Sequence, residues 1–537
     1  MPSDSGPRDD LLAPDPTGKV IVLRDHQAAE RLLDDLLAAD PDSLHFHSLL
    51  QDVPAIGPPV ITAVVRRLDG FNPAVVDVLT RVVGSYPDAH EFARHLRRVA
   101  SDRRSADRRR MGAIMVLEQA LDVQPPDDFL STLREPVRAA TGMLLGALDA
   151  HSRSPAALHD YLRALVAQPV DLLYSVLEML SQIRDDRAIE VLRLLAMHPD
   201  TDLQHSAIET LANVGSPLAI RTLHTLEWTL GDEGSRAVGR QLQKLRLSGV
   251  DTGGLQKPND ECRAWLGPID GRGDRLMWLG APGLGAGRAV MWLVLNDTAG
   301  LLEAAGSPHA APATLPPPAE VGTLHSHSEA YASHAAYAAY WPADAGVMLE
   351  APYTYALRVL HEAVRLNWAT GNALPTEYQL LNPAFWEYGA YVETCDLAEH
   401  GPGDSAPNAH PESESDLLFD PLFDTWYLES QGVTDVAREV ATLDTGLTHE
   451  LGTDNWRMLL PALIRLAHDE FGPQLRARYA ARLRRMAEWL HIAGNTAEAR
   501  MARSCARTME HSPPETNLFV IRLVQKGILV ALSQAGG

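Results

Sequence analysis

The sequence predicts a mainly α protein in three parts: an N-terminal helical solenoid, a small α+β module with antiparallel strands, and a C-terminal helical domain. Three observations carry this. From about residue 25 to 250, apolar residues recur at three-and-four spacing in segments separated by short Pro, Asp or Gly breaks. Between Cys262 and Leu295 the pattern changes to short alternating runs rich in branched residues and tryptophan. After residue 416 the helical periodicity returns. The expected organisation is a disordered Pro/Asp-rich lead (1–24), a solenoid (25–250), an α+β module (258–400) with a Pro/Ala/His-rich insert (305–345), an acidic loop (401–416) and the C-terminal helices (417–537).

The solenoid shows an internal repeat. Ala188, Ile189, Leu192, Leu195, Ala207, Leu211 and Val214 return 31 residues later as Ala219, Ile220, Leu223, Leu226, Val238, Leu242 and Leu245. Each copy opens on a helix-start signal, Asp185-Asp186 and Ser216-Pro217, and Gly215 closes the first. A helix pair of this size cannot bury its apolar face alone, so such pairs stack. Over 185–247 the pattern resembles HEAT-like repeats of the short bacterial kind found in phycobilin lyases. The resemblance implies an extended surface for holding another macromolecule. It raises, as one function among several, a lyase-like or chaperone role toward a cofactor-bearing protein.

In the module, Cys262 to Ile269, Arg275 to Leu279 and Arg288 to Leu295 read as strands of an antiparallel meander, with Asp297 as the cap of a short helix through Ala304. Residues 306–322 read as a Pro/Ala-rich excursion outside any element. Val347 to Glu350 is a fourth strand, followed by a helix from Tyr353 to Asn367 that Gly371 and Pro375 end. Val347-Met348-Leu349-Glu350, Tyr355, Glu362-Ala363, Asn367, Gly371, Leu374-Pro375 and Tyr378 resemble a module of bacterial HEAT-repeat proteins with no assigned activity. Gly283-x-Gly285-x-Gly287 is followed by a strand, whereas phosphate binding needs a helix whose amides face the anion, so it reads as a hairpin loop. Arg272-Gly273-Asp274 is a turn. Near the C-terminus Met486, Ala487, Leu490, Gly494, Ala499 and Ala506 are similar in spacing to one tetratricopeptide repeat, which implies a helical hairpin. Leu518 to Leu532 is a last apolar helix.

One constellation could carry chemistry. His325-Ser326-His327 on a strand puts two imidazoles on one face, and Glu329 or His334 would add a third metal ligand while leaving a position for activated water. The pair resembles the His-x-His of JAMM metalloproteases, of PHP phosphoesterases and of metallo-β-lactamases. Ser328 stands where the first family has Pro, no Asp precedes His325 as in the second, and Glu329-Ala330 replaces the Asp-His of the third. Glu393, Asp396, His400 and His410 are further potential ligands. No Gly-x-Ser-x-Gly elbow and no Cys in a motif context suggests a catalytic nucleophile, and no resident cofactor is expected beyond that divalent metal.

Charge narrows the partners. The net formal charge is −23, which argues against nucleic acid. From Ala289 to Ala437 two arginines face twenty carboxylates, a net of −18 that would attract a basic protein. Eight arginines between Arg94 and Arg110 carry no interleaved aromatics of the kind base stacking uses; they, and a second group at Arg476, Arg478, Arg482, Arg484 and Arg485, read as solvated faces or as docks for the chain's own carboxylates. Cys262, Cys395 and Cys505 are too few and too scattered for a disulfide framework. No apolar run has the length of a membrane span and the N-terminus is not a signal peptide, so a soluble cytoplasmic chain is expected. The function expected from these features is a non-enzymatic protein–protein interaction scaffold or adaptor; the alternative is a metal-dependent hydrolase centred on His325 and His327.

Overall fold

The computed structural model describes residues 16–535 except 42, 125, 127–128, 152–154, 283–286, 311–314, 316–318, 327–346, 390–415 and 444–455. The protein is mainly α with one six-stranded antiparallel sheet. It divides into two compact units, Met1–Tyr161 with Pro169–Ala188, and Leu162–Gln168 with Ile189–Gly537.

The first unit contains α1 (Pro16–Ala38), α2 (Leu44–Ile56), α3 (Pro59–Arg67), α4 (Pro73–Ser85), α5 (Ala89–Ser101), α6 (Asp107–Leu121) and α7 (Pro136–His151). Helix α8 (Pro155–Val166) spans the division, and α9 (Val170–Ser181) returns to the first unit. Helix α1 starts at Pro16, inside the stretch read as a disordered lead. Local chemistry sets the other starts: the side chains of Ser43, Asn72 and Asp88 accept from the amides of Phe46, Val75 and Glu91 at 3.1, 3.3 and 3.0 Å. Contacts run along α1–α3–α5 in one layer and α2–α4–α6 in the other. Leu33, Phe46, Val64, Leu79, Phe92 and Val116 are buried between them. Where the α3–α4 turn meets α6, a Cβ on Gly70 would lie 2.6 Å from Met111 Cβ, so only glycine permits the approach.

The second unit opens with the clear repeat. Helices α10 (Ile189–Ala196), α11 (Thr201–Val214), α12 (Pro217–Thr229) and α13 (Asp232–Leu247) stack as two pairs, α10 on α12 and α11 on α13. Six of the seven matched positions are buried in both copies, and the seventh, Val214 and Leu245, is half-buried in both. Ser216 Oγ accepts from Ala219 N at 3.2 Å, and Gly215 takes a positive φ of 66°. The division falls at Ala188, within the span 25–250 read as one solenoid. The reason is that these helices pack on the module. Buried Arg193 donates to Gln379 O at 2.5 Å, Trp228 stacks parallel to Trp386 at 6.3 Å, and Arg221 pairs with Glu387 at 2.9 Å.

The sheet has the order β4-β3-β2-β1-β6-β5. Its strands are β1 (Arg263–Leu266), β2 (Asp274–Pro282), β3 (Arg288–Asn296), β4 (Gly300–Ala310), β5 (Leu324–Ser326) and β6 (Val347–Ala351). Strands β1 to β3 form the expected meander, and β4 extends it. Residues 300–304, expected as a helix capped by Asp297, are instead the start of β4, which also takes in the first residues of the supposed excursion. The turn decides this. Asn296 Oδ1 accepts from Thr298 N, Thr298 Oγ1 and Ala299 N at 2.8, 2.7 and 2.9 Å, and Gly300 supplies φ 88°. Asp297 caps nothing, because its carboxylate is held by Arg482.

One face of the sheet receives α14 (Tyr353–Thr370) and α15 (Thr376–Leu381), while the short α16 (Pro383–Trp386) packs on β2. Helices α17 (Gln431–Leu443), α18 (Trp456–Glu470), α19 (Pro473–Ile492), α20 (Thr496–His511) and α21 (Leu518–Ala535) complete the unit. Helices α19 and α20 form the expected hairpin, closed at Gly494 with φ 81°. The C-terminal helices belong to the same compact unit as the sheet: Trp489 Nε1 donates to Leu266 O at 2.7 Å and Trp426 Nε1 to Ile269 O at 3.0 Å. Among the described residues, no single helix is long and apolar enough to cross a membrane.

Candidate functional site

His325, the first of the candidate ligands, lies on the edge strand β5 opposite Met348. Its Nε2 meets Glu350 Oε2 at 3.2 Å. Glu350 is buried, and both its oxygens accept from Arg263, Nε to Oε1 and Nη2 to Oε2, each at 2.7 Å. The Arg263 guanidinium stacks over Trp265 at 4.6 Å. Strand alternation makes this arrangement: Arg263 and Trp265 point to one face of β1, and register places Trp265 beside Glu350. The same register continues across the sheet as Glu350–Trp265–Trp278–Trp292–Ala305, a row of three neighbouring indoles. Leu315 and Met348 pack on this face.

The chemistry of the cluster follows from these bonds. A carboxylate gripped at both oxygens by a guanidinium is a charge-assisted structural pair and a poor general base. Its remaining act is to orient His325, whose Nε2–H donates to Glu350 and whose Nδ1 then carries the free lone pair. This is how a carboxylate orients a metal-ligating histidine. His327, Glu329 and His334, and with them Glu393, Asp396, His400 and His410, lie outside the described residues. Among the described residues no group of three or more His, Cys, Asp and Glu side chains is placed to hold a metal ion.

Among the described residues, several carboxylates of the acidic window pair with arginines from either side of it in the chain. Asp297 pairs with Arg482, Glu350 with Arg263, Glu377 with Arg163, Glu387 with Arg221 and Glu429 with Arg272, at 2.7 to 3.1 Å. The basic face of α19 therefore docks on the chain's own carboxylates, Arg485 also reaching Glu362 at 3.6 Å. In the first unit, Arg110 of the arginine run is buried and donates to Ala100 O, Thr132 O and Thr132 Oγ1 at 2.9, 2.8 and 2.7 Å. Arg94, Arg97, Arg98, Arg103, Arg104 and Arg109 are exposed.

A second feature was not legible in the motifs. A cleft of about 740 Å³ in the second unit runs between the ends of α10–α13 and the last turns of α14. Asp232, Glu233, Glu362, Arg365 and Trp368 are among its lining residues. Arg365 is paired with Asp232 at 2.7 Å, and the rim also carries Glu233, 4.0 Å from His205, and Glu362, shared with Arg485 at 3.6 Å. Trp368 is fixed by a bond from Nε1 to Thr229 O at 3.0 Å. Gly231 makes room for it, since a Cβ there would lie 2.8 Å from Trp368 Cβ. The cleft assembles from segments more than a hundred residues apart, so no local pattern announces it.

Compared with models of protein families, with curated proteins and with solved structures, the chain matches none.

Proposed function

We propose that the protein is a non-enzymatic interaction scaffold or adaptor, built on HEAT-like helix pairs, that takes a basic segment of a partner protein into the cleft beside α14. The observation that carries this reading is the cleft itself. It combines room for several side chains with an immobilised tryptophan and a net excess of carboxylates, the complement of a Lys/Arg-bearing segment. A guanidinium reaching Trp368 would gain a cation–π contact with the ring face while its charge meets Glu233 or Glu362. The layered helix pairs α10–α13 support the reading, because stacked pairs leave their ends and outer turns open for contacts.

The test uses fluorescence anisotropy with a panel of labelled Lys/Arg-rich peptides and an acidic control panel. The basic peptides are expected to bind, with affinity falling by roughly 10-fold between 50 and 300 mM salt as screening removes the rim attraction. A Glu233→Gln/Glu362→Gln variant is expected to weaken binding by roughly 3- to 10-fold. Binding that ignores both salt and the double substitution removes the cleft as the contact surface.

A second reading has one observation in its favour, the orientation of His325 by Glu350. In it, His325 and His327, with Glu329 or His334, hold a divalent metal for hydrolysis. Elemental mass spectrometry on tag-free protein, beside a His325→Ala/His327→Ala variant, decides it. The scaffold reading expects no stoichiometric metal in either protein. One tightly held zinc, iron or manganese lost in the variant replaces it with the hydrolase.

A further inference from the structure

We propose that the second unit holds a small monovalent anion, a halide or a single carboxylate group, between the guanidiniums of Arg275 and Arg485. Arg275 sits on β2 with its side chain turned into the core between the sheet and helices α14 and α19, and it is 4% exposed. Its Nη2 donates weakly to Arg485 O at 3.4 Å. Nε and Nη1 have no hydrogen-bond partner among the described residues, and Arg275 forms no ion pair with any of their carboxylates. A guanidinium taken out of water without a counter-charge costs several kcal/mol in general, which makes a site of this kind a demand for an anion.

Among the described residues the surroundings have no counter-charge to spare for Arg275. Arg275 lines a cavity of about 40 Å³ together with Arg485, Asn296, Asp297 and Glu362. Asp297 is gripped at both oxygens by Arg482, at 2.7 and 2.9 Å. Glu362 is half-exposed and turned to Arg485 at 3.6 Å. Asn296 donates to Asp274 and accepts from its own turn, so its amide is committed. Tyr355 shares a side-chain hydrogen bond with Arg275 and donates its hydroxyl to Glu488 at 3.0 Å, but burial pushes its pKa far up, so it stays neutral and brings Arg275 no counter-charge. Glu488 in turn faces Arg358 at 3.3 Å. Three arginines (Arg275, Arg482, Arg485) thus stand against two carboxylates, an excess of one positive charge. At about 10–15 Å³ per water-sized centre, the cavity takes about three or four atoms, enough for a halide or a carboxylate and far below a nucleotide.

The test is ³⁵Cl NMR on the full chain in methanesulfonate buffer of constant ionic strength, with chloride titrated in. Wild type is expected to broaden the chloride line, Arg275→Met to abolish the excess broadening, and added acetate to reverse it if a carboxylate shares the site. Acetate without effect makes the site a halide site. In parallel, the wild-type melting temperature is expected to rise by roughly 2–4 °C on exchange of methanesulfonate for chloride or acetate, with Arg275→Met unresponsive. Equal linewidths for wild type and variant, with melting indifferent to the anion, overturn the proposal and leave water as the partner of Arg275. Should Arg275→Met not fold, Arg485→Gln takes its place, and an unchanged linewidth there overturns it equally.

Discussion

Replacing Arg482 by Ala is expected to destabilise the second unit by about 3–5 kcal/mol, the cost of leaving a buried carboxylate without its partner. Asp297 and Arg482 are 3% and 5% exposed as side chains, and their two charge-assisted bonds are only part of the contact. Arg482 also donates to Gly271 O at 2.5 Å and Arg272 O at 2.8 Å, which ties α19 to the β1–β2 turn. Gly273, with φ 95°, is required there because a Cβ would lie 2.1 Å from Asp297 Oδ1. Urea unfolding followed by far-UV circular dichroism measures the loss. Asp297→Asn in the Arg482→Ala background should recover part of it, since the neutral amide no longer demands a cation. A loss below about 1 kcal/mol, the range of exposed ion pairs, would mean that the pair is not desolvated in solution.

A comparable loss, about 3–5 kcal/mol, is expected for Glu350→Ala, which takes from Arg263 the buried carboxylate that meets its Nε and Nη2. The double substitution Arg263→Met/Glu350→Leu should restore most of the stability, because it removes both charges and keeps the volume. His325→Ala should cost far less, about 1 kcal/mol, since it deletes one hydrogen bond and leaves the Arg263–Glu350 pair whole. The ordering of the three variants is the test. His325→Ala as damaging as Glu350→Ala would show that the histidine, and not the arginine, is the carboxylate's main partner.

The two expectations rest on charges that the sequence displays and misplaces. Read along the chain, the carboxylates from Ala289 to Ala437 make an acidic field and the arginines of α19 a basic face. Folded, Asp297 finds Arg482 and Glu350 finds Arg263, partners 185 and 87 residues away. Part of the apparent field is internal pairing, and of the carboxylates that line the cleft Glu233 lies outside the acidic window altogether. The β4 strand shows the same limit at shorter range. Leu301-Leu302-Glu303-Ala304 is as compatible with a helix as with a strand, and the turn at Asn296–Gly300 sets the outcome together with Asn367, whose side-chain oxygen accepts from Leu301 N at 2.6 Å and whose amide donates to Leu301 O at 3.0 Å from helix α14.

What the sequence determined by itself was local and periodic. The two 31-residue copies with their Ser and Asp caps, the β1–β3 meander, the Gly494 hairpin and the final apolar helix all follow from spacing, because a helix or strand buries a face whose period is written in consecutive residues. Tertiary structure alone decided that α10–α13 join the sheet, that Arg193 and Arg275 are core residues, and that Glu233, Glu362 and Trp368 share one cleft. Those outcomes depend on which distant groups arrive within a few ångströms of one another. A side chain's charge is visible in the sequence, whereas its desolvation and its partner exist only once the chain has closed around it.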